Sequence, residues 1–168
     1  MKSILLTAIC LTVLSNSFAQ SNSKMKSINQ NAPVKCSRTI TINANSEKVW
    51  KVLTEINSWA NWQTDIKTSK INGELRPLTT FDWKTGGAKI HSTLQTVEKQ
   101  KQLGWTGKSF GILAIHTWTL SEDDGKTTLI VEESMQGFLA GLLKKSFNKK
   151  LKNGMQIWLD LLKVECEK

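Results

Sequence analysis

The chain has no tyrosine, two histidines, two prolines and three cysteines in 168 residues, and its 14 acids are outnumbered by 23 bases. The shortage of acids leaves a net charge of +9, which excludes an acidic disordered segment. The N-terminal apolar run, Ile4 to Leu14, falls short of the roughly 20 residues that cross a bilayer, so a multi-span membrane protein is excluded. Cys36 and Cys166 are far apart, and only His91 and His116 could join them, a poor donor set for zinc. No dinucleotide fingerprint, calcium loop or H-E-x-x-H is present. The length suits one domain and excludes a large multidomain assembly. What is there is an ordinary globular composition, 39% hydrophobic and 22% charged, with one peculiarity: of 12 aromatics, seven are tryptophan and five phenylalanine.

Lys2, the run Ile4–Leu14, and the polar and small residues Ser15, Asn16, Ser17 and Ala19 form the three zones of a secretory signal. Residues 1–19 are therefore expected to be a signal peptide cleaved before Gln20, sending the protein to the periplasm or out of the cell. Cys10 lies inside the apolar run and goes with it. The remaining chain keeps 22 bases against 14 acids, a charge of +8. Such a charge suits nucleic acid, an anionic membrane surface or acidic ligands. The lysines are scattered apart from Lys144-Lys145 and Lys149-Lys150-Lys152, no RNA-binding signature is present, and export argues against a nucleic-acid partner. A soluble protein with a lysine-rich surface is the simpler reading.

Residues 20–33 are polar and aperiodic and read as a flexible leader, ending at Pro33. Residues 34–168 form a single domain. Val34–Asn43 alternates as a first strand. Asn45 or Ser46 can cap a helix whose buried stripe is Val49, Trp50, Leu53 and Ile56, and Asn57–Gln63 is a second short helix or turn. Short alternating segments follow: Ile66–Ile71, Thr79–Lys84, Ala88–Val97, Gln102–Lys108, Ile112–Leu120 and Thr127–Met135. After Gly137 the period turns helical, with Leu139, Leu143, Phe147, Leu151, Met155, Trp158 and Leu162 on one stripe, predicting a single long helix with Gly154 marking a bend or a close approach. A seven-stranded antiparallel sheet would curl around that helix and leave a hollow between them.

Catalytic motifs fail on inspection. Gly107-Lys108-Ser109-Phe110-Gly111 spells the hydrolase G-x-S-x-G but lies between two strands, without the acid and histidine that should follow. Gly104–Ser109 has two residues between its glycines where a phosphate loop needs four. The tryptophans are more informative. Phe81 and Trp83 share one strand face, as do Leu103 and Trp105; Ile90, Ser92 and Leu94 share another, and His116, Trp118 and Leu120 a fourth. Trp59, Trp62 and Trp158 come from the helices that would close the ends. A plain aromatic core and a cavity lining both fit these faces. The number of indoles, the polar Ser92 and His116, and the small Gly87, Gly104 and Gly107 favour a lining.

Several stretches together resemble a known family: Ile42-Asn43-Ala44-Asn45-Ser46-Glu47-Lys48-Val49-Trp50, Trp59-Ala60-Asn61-Trp62, Phe81-Asp82-Trp83, Ile90-His91-Ser92, Leu103-Gly104-Trp105-Thr106-Gly107, His116-Thr117-Trp118 and Glu132–Gly137. The pattern is similar to the polyketide cyclase/dehydrase and lipid-transport family, part of the START/Bet v 1-like (SRPBCC) helix-grip superfamily. The resemblance implies an α+β helix-grip fold: a seven-stranded curved antiparallel sheet wrapped around a long C-terminal helix, two short helices after strand 1, and an apolar cavity. The family's cyclases give no catalytic residues to carry over, because tyrosine is absent and no dense His/Arg/Asp cluster exists.

The functional expectation is an exported binding protein, a monomer without metal or cofactor, holding a small hydrophobic ligand such as a lipid or an aromatic. The expected lining is Trp59, Trp62, Phe81, Trp83, Ile90, Ser92, Trp105, His116, Trp118, Val131, Glu133, Phe147, Leu151 and Trp158. Two alternatives stand beside it: a cyclase or dehydratase using His116 and Glu133 as acid/base groups, and a module whose lysine-rich helix touches an anionic membrane or a partner. Two geometric expectations follow from the fold. Asp124-Gly125 as a two-residue turn pairs positions summing to 249, setting His116 opposite Glu133 on the apolar face. A final helix of about 40 Å carries Cys166 away from Cys36, so the two do not pair.

Overall fold

The computed structural model describes residues 27–168; the expected signal peptide and residues 20–26 of the leader lie outside them. β1 (Val34–Ile42) alternates as its sequence does, burying Val34, Cys36 and Ile42. α1 (Ser46–Thr54) starts where the Asn45 side chain accepts a hydrogen bond from the Lys48 N–H at 2.9 Å, and it buries Val49, Trp50 and Leu53. A 3₁₀ turn, Ile56–Asn61, follows and buries Ile56 and Trp59. The six expected strands are β2 (Ile66–Ile71), β3 (Thr80–Thr85), β4 (Ala88–Glu98), β5 (Gln102–Ser109), β6 (Ile112–Asp123) and β7 (Lys126–Gln136). With β1 they form one seven-stranded antiparallel sheet in the order β1-β7-β6-β5-β4-β3-β2.

The β6–β7 register is the one that the Asp-Gly turn demands. Asp124 and Gly125 have φ of 47° and 68°, the twin positive angles of a two-residue hairpin. Asp123 pairs with Lys126, Trp118 with Val131 and His116 with Glu133.

Two expectations need correction. The single long helix is two: α2 (Phe138–Leu142) and α3 (Lys144–Cys166), broken at Leu143, where φ is −107° and ψ 27°. Apolar residues spaced strictly by four overshoot a 3.6-residue turn by about 40° at each step. A straight helix would therefore rotate Leu139 off the face that carries Leu151, and the break restores it. Gly154 interrupts nothing, lying inside a continuous α3. The leader is also not free up to residue 33. Ile28 and Ala32 are buried, the Asn29 N–H donates to Ser134 Oγ at 2.9 Å, and Asn29 Nδ2 donates to Gln136 Oε1 at 2.7 Å. Two isolated apolar residues and one asparagine side chain leave no periodicity to read.

α3 runs alongside β1. Asn148 Nδ2 donates to the Pro33 carbonyl at 3.0 Å, and Lys163 Nζ to the Thr41 carbonyl at 2.7 Å. Cys36 thus lies level with the start of α3 and Cys166 with its end, and both are buried free thiols. Burial pushes the Cys166 thiol up to about 12.

Candidate functional site

Between the concave sheet face and α2–α3 lies a cavity of about 550 Å³. Its walls follow from strand alternation. On β6 every second residue faces it (Ile112, Ala114, His116, Trp118), and opposite them on β7 stand Val131, Glu133 and Met135. Trp105 and Gly107 of β5, Ile90 of β4 and Trp83 of β3 continue the wall. The helical side supplies Leu139, Phe147, Lys150, Leu151, Gly154, Met155 and Trp158. Thr85, Gly86 and Ala88 from the β3–β4 hairpin, and Ser109 and Phe110 from the β5–β6 hairpin, form the mouth.

Ten of the fourteen expected lining residues lie on this cavity: Trp83, Ile90, Trp105, His116, Trp118, Val131, Glu133, Phe147, Leu151 and Trp158. The other four lie behind it or beside it. Trp59, fully buried, is the hub of a solid aromatic cluster, with ring centroids 5.6 Å from Phe81, 6.0 Å from Trp83, 5.7 Å from Trp105 and 5.3 Å from Trp158. Its indole N–H donates to the Leu53 carbonyl at 3.0 Å, so the hub is tied to the end of α1. Phe81 is fully buried in the same cluster, and Trp62 meets Trp158 edge-to-face from outside. Ser92 is buried and occupied as acceptor from Trp83 Nε1 at 3.0 Å. This cluster is the closed floor of the hollow. The lining residues that reading by tryptophan missed could be found from period: Ile112 and Ala114 follow from strand alternation with His116, and Gly154 and Met155 from helical spacing with Leu151.

One polar pair stands on the apolar wall. His116 Nδ1 and Glu133 Oε2 are 2.5 Å apart across β6–β7, their side chains 11% and 13% exposed. This contact uses Nδ1 and leaves the second ring nitrogen over. That atom, Nε2, is buried without a partner, as is the indole Nε1 of Trp118. The imidazole lies flat on Trp105, ring centroids 4.3 Å apart and planes 13° from parallel. The pair is held in one orientation by its register, its hydrogen bond and this stacking. No group of three or more metal-ligating side chains occurs among the described residues.

An antiparallel sheet gripping a C-terminal helix, with two short helical segments after β1, is the helix-grip fold of the START/Bet v 1-like superfamily. Residues 33–167 match the family described as polyketide cyclase/dehydrase and lipid transport, and the chain belongs to that family. Solved structures with the same fold include a hypothetical protein from Helicobacter pylori, 21% identical with a TM-score of 0.73, covering 97% of this chain and 98% of that one. An aromatase/cyclase from a Streptomyces species is 12% identical with a TM-score of 0.70, covering 79% and 93%. A START superfamily protein from Mycobacterium smegmatis is 13% identical with a TM-score of 0.67, covering 79% and 97%. No curated protein matches the chain.

Proposed function

We propose that the protein is an exported carrier that binds a small hydrophobic or amphipathic molecule, a lipid or an aromatic, between sheet and helix. The observation that carries this reading is the cavity itself. Its 550 Å³ lies in the range of small-molecule sites, about 300–1,000 Å³, and its walls are almost wholly apolar. A molecule with an apolar body and one polar group suits such walls, because His116 and Glu133 form one polar site on an otherwise apolar lining. Indole faces supply large, rigid contact area for the apolar part.

The test is titration with the amphipathic fluorophore 1-anilinonaphthalene-8-sulfonate, together with native mass spectrometry of protein purified from its own compartment. Saturable uptake, with a shift in the emission of Trp83, Trp105, Trp118 and Trp158, supports the reading; a probe that never saturates and shifts no emission overturns it. A second reading, acid/base catalysis by His116 oriented by Glu133, rests on their 2.5 Å contact. It requires substrate turnover that disappears in His116→Gln while the probe still binds.

A further inference from the structure

We propose that the rim of the cavity mouth docks on an anionic lipid bilayer, so that the cavity opens toward acyl chains. Phe110 is 74% exposed at the tip of the β5–β6 hairpin, and Phe138 is 82% and Leu142 66% exposed on α2. Phe138 and Leu142 are four apart and share one face of α2. The hairpin and α2 are neighbours: a Cβ on Gly137 would stand 2.5 Å from the Gly111 carbonyl oxygen. These apolar tips thus gather on one side of the opening. Phe110 also has a φ of +48°, a left-handed conformation that a bulky aromatic rarely adopts, and it holds its ring outward at the hairpin tip.

Charge selects the occupant. Three segments reach the mouth: residues 83–90, 105–118 and 134–159. Between them they carry Lys84, Lys89, Lys108, Lys144, Lys145, Lys149, Lys150 and Lys152, all exposed, and no aspartate or glutamate; Glu133, the acid on the cavity wall, is turned inward onto His116. After the expected signal the chain has 22 bases and 14 acids. Setting aside these eight lysines leaves 14 bases, which the 14 acids balance, so the chain's excess of base lies in the segments that reach the mouth, with Lys150 on the cavity wall itself. A second copy of the chain would bring the same charge and be repelled. Apolar side chains projecting among lysines match an anionic membrane, whose headgroups pair with ammonium groups while the rings reach the acyl boundary.

The test is sedimentation of the chain from Gln20 with vesicles of phosphatidylcholine, alone or mixed with phosphatidylglycerol. The expected result is binding to the mixed vesicles that falls as salt rises. Phe138→Ser with Leu142→Ser should weaken it by about tenfold or more, the loss expected for large apolar side chains that leave lipid for water. Neither residue lines the cavity, so that variant should still take up 1-anilinonaphthalene-8-sulfonate saturably, and an unchanged near-UV circular dichroism spectrum reports that it is folded. Lys144→Glu with Lys145→Glu and Lys149→Glu should abolish binding, whereas Lys51→Glu, on α1, should not change it. Equal binding by the rim variants, no preference for phosphatidylglycerol, or capture of an acidic protein with no vesicle binding would overturn the proposal. Vesicle binding without probe uptake would instead retain the docking surface and refute the carrier reading.

Discussion

Replacing Gly154 by leucine tests the hollow without breaking the fold. Gly154 lies in the middle of α3, lines the cavity, and has nothing within 4 Å of where a Cβ would stand. A leucine there points into open space and improves the helix, since glycine is about 0.8–1 kcal/mol worse than a good helix former at an interior site. Its side chain fills roughly 100 Å³, and at about 24 cal/mol per Å³ of removed void that adds at most about 2.4 kcal/mol. The cavity is open at its mouth, so the true gain is smaller, and the variant should be more stable by about 1–3 kcal/mol in all. For a domain of this size that raises Tm by roughly 3–10 °C. Probe affinity should fall by about tenfold or more, because the new side chain takes on the order of a fifth of the 550 Å³. Thermal unfolding and fluorophore titration on one preparation give both numbers. A variant that loses stability and keeps its affinity would refute the claim that this helix face looks onto empty space.

Glu133→Ala leaves both ring nitrogens of His116 without a protein partner and should cost about 1–3 kcal/mol in urea unfolding, with Glu133→Gln recovering part of it. Gly137→Ala, at a φ of 129° and against the Gly111 carbonyl, should destabilise by about 1–3 kcal/mol and displace α2, seen as faster amide exchange from residue 138 onward. Glu122 and Glu167 are held below the ordinary glutamate value of 4.5, Glu122 by hydrogen bonds from Ser46 and Glu167 by the Asn43 N–H; Asp82 is held below 3.8 by Asn72 and then His91. Lowered folded values mean stability that is present above the ordinary values and lost as pH falls through the folded ones, so Tm should decline below pH 4.5 and less steeply in Glu122→Gln. The raised Cys166 thiol has the opposite sign: its contribution is complete below 9.0 and is lost as pH rises toward 12, an alkaline loss that Cys166→Ala should remove.

How legible the site was depends on the length of chain that carries each part. The β6–β7 pairing was readable because one Asp-Gly turn and one alternation of apolar residues determine it, and the His116–Glu133 contact follows by counting. The strands and α1 were readable for the same reason: their periods are local. The break at Leu143 was not, because an apolar residue there satisfies the stripe equally well; only the rotation needed to seat both halves on a curved sheet ends the helix. Trp59 and Phe81 were mistaken for lining because residue type does not say how deep an aromatic sits. Their burial comes from contacts between elements distant in sequence, the 3₁₀ turn and β3. Phe110 was read only as part of a failed hydrolase motif, since nothing in the sequence says which way a hairpin tip points.

The Trp59 hub has an optical consequence. Six of the seven indoles, Trp59, Trp62, Trp83, Trp105, Trp118 and Trp158, form an unbroken chain of ring contacts with centroids at most 6.3 Å apart. Excited states at such separations do not stay on one ring; they hop or delocalise. The protein should therefore show strongly depolarised emission for its size and exciton bands in circular dichroism that overlay its helix signal. A quencher reaching Trp105 or Trp83 from the cavity would drain light from Trp62, on the far side of the floor. A mutation that pulls Trp59 out of line would detach Trp105 from this antenna, while Trp158 would still join Trp62, Trp83 and Trp118.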